Sequence, residues 1–496
     1  MRRPRDPFQC VRADASSGDT ARADPSRPCW CCAPLVQSIQ RRVDRDVSRR
    51  LFLGGAAALL APFRDLGAQP SSTRPAPPRP TLLTNLRLFD GTGGSLRHGV
   101  AIRIEGNRIA ALPSAGEAPG EALVIDCGGR LAMPGLIDAH WHATLCALPQ
   151  SVAMTADVAY IHLAAAAEAE RTLMRGFTTV RDAGGPAFAL KRAIDEGIIL
   201  GPRIYPAGAM ISQTSGHGDF RLRSEVPRGT TAALSAAEMA GIAMIADGEA
   251  EVLRRVREQL MLGASQIKLM AGGGVTSPYD PLDSIQFTEA ELRAGVAAAA
   301  DWGTYVMTHV YTPAGIQRAI RAGAKSIEHG HLADEETVRM MAGEGVWWSL
   351  QPFLADADAN VMADPASRAK QAAVARGSER AYELAQRFGV QTAWGTDILF
   401  SPANLATHGR QLAKLTQFYD PLTLLRTATG NSGALLKLSG PRNPYPHELG
   451  VIRPGAYADI LIAEGDPTRS LEFLTDPAAT LKLIMKDGRV HKNTMQ

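Results

Sequence analysis

The 496-residue sequence has few cysteines, and their distribution is uneven. Of the six, Cys10, Cys29, Cys31 and Cys32 lie in the first 32 residues, leaving only Cys127 and Cys146 in the body. That is too few for a disulfide scaffold. The Cys29–Cys32 cluster lacks a second pair at zinc-ligand spacing. Net charge is also small: 53 basic against 50 acidic side chains gives +3, and much of the basic excess precedes residue 65. That balance gives no electrostatic argument for nucleic acid or an anionic membrane as partner. The apolar run Gly54 to Pro62 falls well short of the roughly 20 residues that span a bilayer, so no stable membrane anchor is expected.

What is present near the start has the order of an export signal. Ser48-Arg49-Arg50-Leu51-Phe52-Leu53 precedes the short apolar run, and a Pro/Ser-rich tail follows. This resembles a twin-arginine leader, which is an address and not an anchor. Residues 1–68 are expected to be that leader, with cleavage near Ala68 and export to the periplasm or medium. The signal starts late, and initiation nearer Val43 is one reading of that. Residues 69–80 read as a linker.

From Thr81 to Val124, short alternating segments punctuated by Asp90-Gly91 and Glu105-Gly106-Asn107 predict a small antiparallel sheet. Strand signals return at Ala458–Ala463 and Leu481–Met485, with a hairpin turn at Lys486-Asp487-Gly488-Arg489. A β-sandwich built from both ends (81–135 plus 439–496) is expected, with the middle of the chain inserted between them. That middle, 136–438, alternates eight short apolar strands with Ala-rich helices. The strand candidates are Leu136–Ala139, Thr178–Arg181, Arg203–Pro206, Gln266–Met270, Tyr305–Thr308, Ser326–Glu328, Val346–Leu350 and Gln391–Trp394. Eightfold alternation predicts an α/β fold of the (β/α)8 TIM-barrel type.

In such a barrel the chemistry sits at the C-terminal ends of strands. Here the first strand runs into His140 and His142, which share a face because they are two apart. The fourth carries Lys268, the fifth runs into His309, the sixth into His329 and the eighth into Asp397. Imidazoles and a carboxylate are a donor set for zinc-like cations. A lysine among them makes sense once its amine has taken up carbon dioxide to become an anionic carbamate.

These residues lie in motifs that resemble the amidohydrolase superfamily, in its imidazolonepropionase-like branch with prolidase-type dipeptidases and ochratoxinase-type enzymes. The matching stretches are MPGLIDAHWH (133–142), GFTTVRDAGG (176–185), SGHGD (215–219), IKLMAGGGV (267–275), THVY (308–311), SIEHGH (326–331), WGTD (394–397) and GVIRPGAYADILI (450–462). The resemblance covers about residues 81–490. It implies two divalent metal ions, zinc foremost, with His140, His142 and Asp397 on one, His309 and His329 on the other, and carboxylated Lys268 bridging them. Asp397 is implied to move the proton from water to the leaving nitrogen.

His217 or Tyr279 is expected either to stabilise the oxyanion or to hold a substrate carboxylate, and His331 to face the substrate or support the ligands. Asp182 and Asp219 are read as braces for loops or histidines, and Trp347, Trp348 and Phe353 as packing. Gly272-Gly273-Gly274, with no helix following, reads as backbone passing close to the site. The activity implied is hydrolysis of an amide beside a free carboxylate, in an N-acyl amino acid or dipeptide, with release of phenylalanine from ochratoxin A as a specific case. A cyclic amide (imidazolone-type) hydrolase and a non-catalytic scaffold are the alternatives. Relatives imply a homo-oligomer.

Overall fold

The computed structural model describes residues 79–227, 233–277, 279–362 and 364–495. The expected leader lies outside the described residues, as does all of the linker except Arg79 and Pro80. No helix among the described residues is long and apolar enough to cross a membrane.

Both ends of the described chain build one sheet. Strands β1 (Thr81–Leu88), β2 (Ile102–Glu105), β3 (Arg108–Ala111) and β4 (Leu123–Pro134) come from the N-terminal side. The C-terminal side supplies β15 (Ile460–Ala463), β16 (Leu481–Lys486) and β17 (Arg489–Asn493). The hydrogen-bonded order is β17-β16-β15-β4-β1-β2-β3. The two ends join where β15 runs antiparallel to β4, Ile460 opposite Pro134. The small sheet expected to be antiparallel is mixed: the ladders run through seven strands, and β1 and β4 pair in parallel. Its apolar face, including Leu83, Ile102, Ile460 and Leu483, is fully buried in a core of its own. The predicted hairpin is present: Asp487 and Gly488 both have left-handed φ, 57° and 70°, the geometry of a two-residue turn that follows strand twist. A Cβ on Gly488 would lie 2.0 Å from the Gly106 carbonyl, so that turn also packs on the β2–β3 hairpin.

Among the described residues, the middle of the chain holds ten strands. They are β5 (Leu136–Trp141), β6 (Phe177–Asp182), β7 (Arg203–Pro206), β8 (Met210–Ser212), β9 (Ala243–Ile245), β10 (Ile267–Met270), β11 (Val306–Val310), β12 (Ser326–His329), β13 (Trp347–Leu350) and β14 (Thr392–Trp394). All pair in parallel and nearly every residue in them is buried, as expected for strands covered on both faces. Each of the eight predicted strands has a counterpart. The addition is that the third is broken: β7 pairs with β6, while β8 pairs with β10 and the unforeseen β9. The ladders therefore form two sheets, β5-β6-β7 and β14-β13-β12-β11-β10-β8-β9. Just past β14, the Asp397 amide donates to the His140 carbonyl at 2.8 Å, across from β5.

Helices return the chain between strands, among them Val158–Met174, Glu249–Leu262, Glu289–Asp301 and Pro313–Ala322. Their ends are specified locally. Thr288 and Glu291 form a reciprocal capping box. Pro313 opens its helix, and Gly323 ends it at φ 103°.

Candidate metal centre

The C-terminal ends of β5, β10, β11, β12 and β14 converge on one cleft, open to solvent. His140, His142, Lys268, His309, His329 and Asp397 all line it. The imidazole centroids of His140 and His329 are 4.8 Å apart, and those of His309 and His329 4.5 Å. Asp397 Oδ1 lies 3.1 Å from His142 Nε2 and 3.4 Å from His140 Nε2. One ligand atom each from His140, His329 and Asp397 falls within 4.8 Å of the other two. Two of these residues are bent into place: His329 and Asp397 have φ of 71° and 53°, left-handed backbone that side-chain-bearing residues adopt at a cost and that clusters at functional sites.

The hydrogen bonds decide which imidazole nitrogen is left over. His140 Nδ1 meets Glu328 Oε2 at 2.6 Å, His142 Nδ1 meets the Gly184 carbonyl at 2.8 Å and His329 Nδ1 meets Gln351 Oε1 at 2.8 Å. Each partner is an acceptor (Gln351 gives its own NH2 to Ser349), so each Nδ1 carries the proton and each Nε2 keeps a lone pair. His309 is the reverse. Its Nε2 donates to the Gly273 carbonyl at 3.1 Å, leaving Nδ1. Burial is the first cause that holds His140 near about 4 and His309 and His329 well below the usual imidazole range. They are therefore neutral at pH 7, the form that binds metal. Asp397 is held below its ordinary value: burial pushes it up, and His140, His142 and Lys268 outweigh that. The donor set, its free lone pairs and its ionised carboxylate fit divalent cations.

Lys268 is fully buried, its Nζ 3.4 Å from His140 Nε2. Burial lowers it to about 8, against the pull of Glu328 and Asp397. A neutral amine is what carbamate formation needs, so this position suits the lysine chemistry expected of it.

Beneath the cluster lies a buried ion pair that the sequence did not reveal. Arg181 Nη2 donates to both Glu328 oxygens at 2.8 Å, and its Nε donates to the Ala139 carbonyl. Glu328 stays far below the ordinary carboxylate range: burial opposes this, and Arg181 and His140 prevail. Asp138 is a second hidden hub. It accepts from the His140 amide at 2.9 Å and from the Thr396 hydroxyl at 2.7 Å, and it pairs with His408 Nε2 at 2.9 Å. His408 lies stacked between Trp141 and Phe177. The signal available in the sequence was a charge inside an apolar strand, at positions 138, 181 and 328.

The expected substrate contacts divide. His217 lines the cleft and stacks on His309 at 4.1 Å, with Nδ1 2.6 Å from Ser277 Oγ. Tyr279 and His331 do not line it. The Tyr279 hydroxyl donates to the Arg221 carbonyl at 3.0 Å, which draws the ring toward the loop after β8. His331 is buried and its Nε2 donates to the Gln351 carbonyl at 2.9 Å. His331 thus takes the supporting place that was one of its two readings, and the Tyr279 hydroxyl is engaged by a backbone carbonyl away from the cleft wall. Tyr311, unmarked in the sequence although it follows His309 by two, lines the cleft and stacks on His329 at 5.1 Å. The expected braces hold: Asp182 accepts from the Ala143 amide and Asp219 from the Ser215 amide and Arg221. Of the packing aromatics, Phe353 lines the cleft and stacks on His329 at 5.8 Å. The glycine run is also explained: a Cβ on Gly273 would sit 1.8 Å from the Pro281 carbonyl oxygen, and one on Gly274 2.0 Å from the His217 ring.

With this geometry in view, the sequence profile of the amidohydrolase family matches residues 131–491. Ochratoxinase of Aspergillus niger is 35% identical over 329 residues, 64% of this chain and 66% of the relative, so the match spans just under two thirds of that relative's length. Among solved structures, a prolidase complexed with N-methylphosphonate-L-proline is 33% identical, covers 84% of this chain and 100% of its own, and superposes with a TM-score of 0.77. The crystal structure of A. niger ochratoxinase gives 30% identity, coverage of 84% and 96%, and a TM-score of 0.73. These likenesses identify the α/β architecture as TIM-barrel-type.

Proposed function

This chain belongs to the amidohydrolase family, in its ochratoxinase- and prolidase-like branch, and we propose that it hydrolyses the amide bond of an N-acyl amino acid or dipeptide beside a free carboxylate. His140, His142 and Asp397 would hold one divalent cation, His309 and His329 a second, and Lys268 would join them as a carbamate; zinc is the first choice given the imidazoles. Two such cations acidify water and polarise a carbonyl. The observation that carries the reading is the meeting of these six side chains, from the ends of five strands, in one cleft.

The protein's own groups account for the remaining steps. The neutral Lys268 amine attacks carbon dioxide, forms one N–C bond and releases one proton. Asp397, kept ionised by its histidine neighbours, takes the proton from the attacking water. It then delivers that proton to the amide nitrogen as the C–N bond breaks, giving a free acid and a free amine. His217 and Tyr311 face the cleft and would donate to the substrate carboxylate or the developing oxyanion. The Arg181–Glu328 pair fixes the His140 ring, which keeps its Nε2 aimed. The leader would direct export by the twin-arginine route, and N-terminal sequencing of extracytoplasmic protein tests that.

The deciding experiment pairs metal analysis of freshly purified protein with a screen of N-acyl amino acids, Xaa-Pro and Xaa-Lys/Arg dipeptides and ochratoxin A. Close to two ions per chain with amide cleavage is expected. Folded protein that binds no metal and cleaves none of these amides returns the chain to a scaffold role.

A further inference from the structure

Apart from the histidines, Lys268 and Asp397 of the centre, one charged side chain lines the cleft among the described residues, Asp358. The remaining wall is mainly apolar, with Met210, Met270, Val275, Leu354 and Leu399 among its side chains. Asp358 is not a free acid. Arg410 Nη1 lies 3.1 Å from its Oδ1, and the carboxylate is largely covered while the arginine is half exposed. The backbone on either side is fixed too, since the Asp358 carbonyl accepts from Gln411 Nε2 at 3.2 Å. A nearby lysine, Lys370, is likewise committed. Its Nζ donates to the carbonyls of Gly274, Ser277 and Asp280 at 3.0, 2.9 and 2.7 Å.

We infer that the Arg410–Asp358 pair sets side-chain specificity: it neutralises the one acid on the cleft wall, so the enzyme takes amides of apolar amino acids and refuses those of lysine and arginine. The inference rests on the amide-hydrolase reading and narrows its substrate class. An apolar side chain gains from leaving water against this wall. An ammonium or guanidinium entering it must shed water with no free counter-charge to meet it, and an unpaired buried charge is costly. Among the described residues, a second substrate carboxylate finds no free cation on this wall either. Arg410 touches no substrate and acts only by holding Asp358, so it is a positioning residue.

The test compares kcat/KM of the metal-loaded enzyme for glycyl and N-acetyl derivatives of leucine, phenylalanine, lysine, arginine and glutamate. Leucyl and phenylalanyl substrates should lead the lysyl and arginyl ones by at least roughly tenfold. Arg410→Met releases Asp358 and should narrow that ratio about tenfold, chiefly by lowering KM for the basic substrates. Arg410→Lys keeps a counter-charge and should hold the wild-type ratio. A wild-type preference for basic or acidic substrates overturns the inference and leaves amide hydrolysis standing. So does an unchanged ratio in folded Arg410→Met; if that variant does not fold, the wild-type ratio decides. No turnover of any amide overturns both readings.

Discussion

Glu328 holds His140 from behind: its Oε2 accepts from His140 Nδ1 at 2.6 Å, while the same carboxylate takes two hydrogen bonds from Arg181. The next residue in the chain, His329, faces the cleft with its own imidazole. One strand thus supplies both a site histidine and the anchor of another. Glu328→Gln keeps an oxygen for His140 but loses the charge, and metal affinity should fall roughly 10- to 100-fold. Competition with a zinc-binding dye measures this without an activity assay, and wild-type affinity would count against the anchoring role.

Arg181→Met leaves Glu328 as a buried, unpaired anion. Loss of one partner from such a pair costs about 3–5 kcal/mol. Denaturant unfolding should show that loss in full, whereas Arg293→Met on the solvent-exposed Glu289 pair should leave the midpoint nearly unchanged.

Lys268→Ala removes the proposed bridging group and should lower kcat/KM by at least roughly a hundredfold, more than the loss of an outer partner. Added short-chain carboxylates should restore part of the rate, since they supply the missing anion. Turnover at the wild-type level without additive would rule out the bridge.

The lysine also sets a pH dependence. Its value is lowered to about 8, first by burial, so the folded protein carries a charged amine below that pH and a neutral one above it. Only the neutral amine takes up carbon dioxide. Reactivation of metal-free, bicarbonate-depleted enzyme at a fixed concentration of dissolved carbon dioxide should therefore speed up as pH rises through about 8 and then level off. A rate that falls over that interval contradicts the carbamate.

Gly274→Ala places a methyl where the His217 ring lies. KM should rise about tenfold, equivalent to about 1.4 kcal/mol, with kcat and metal content little changed. Equal loss of bound metal would mean that His217 supports the centre instead of the substrate.

The residues of the cleft cluster could be read from the sequence because they are polar residues at the ends of apolar strands, where packing alone would select something else. His140 and His142, two apart, and Asp397 after Trp394 stood out for that reason. Arg181 and Glu328 did not, because a single charge within a strand looks like a solvent-facing one until the other end of the pair is known, 147 residues away. The strand β9 was missed because three residues, Ala243-Met244-Ile245, carry no periodicity. The direction of the Tyr279 ring was not legible for a related cause: nearness in sequence to a glycine-rich loop does not say which way a ring turns, and its hydroxyl donates to the Arg221 carbonyl.

The clasp at Asp138 ties His140, early in the chain, to Thr396 and His408, up to 270 residues further on. Assembly of the centre must therefore wait for biosynthesis. A ribosome that has just passed β5 has made His140, His142 and Asp138, but not the Gly184, Glu328, Thr396 and His408 that hold them. A chain that stops just before residue 408 should carry all six proposed ligands and still fail to capture metal tightly. Competence then arrives late and in one step, when the last segment folds against the first.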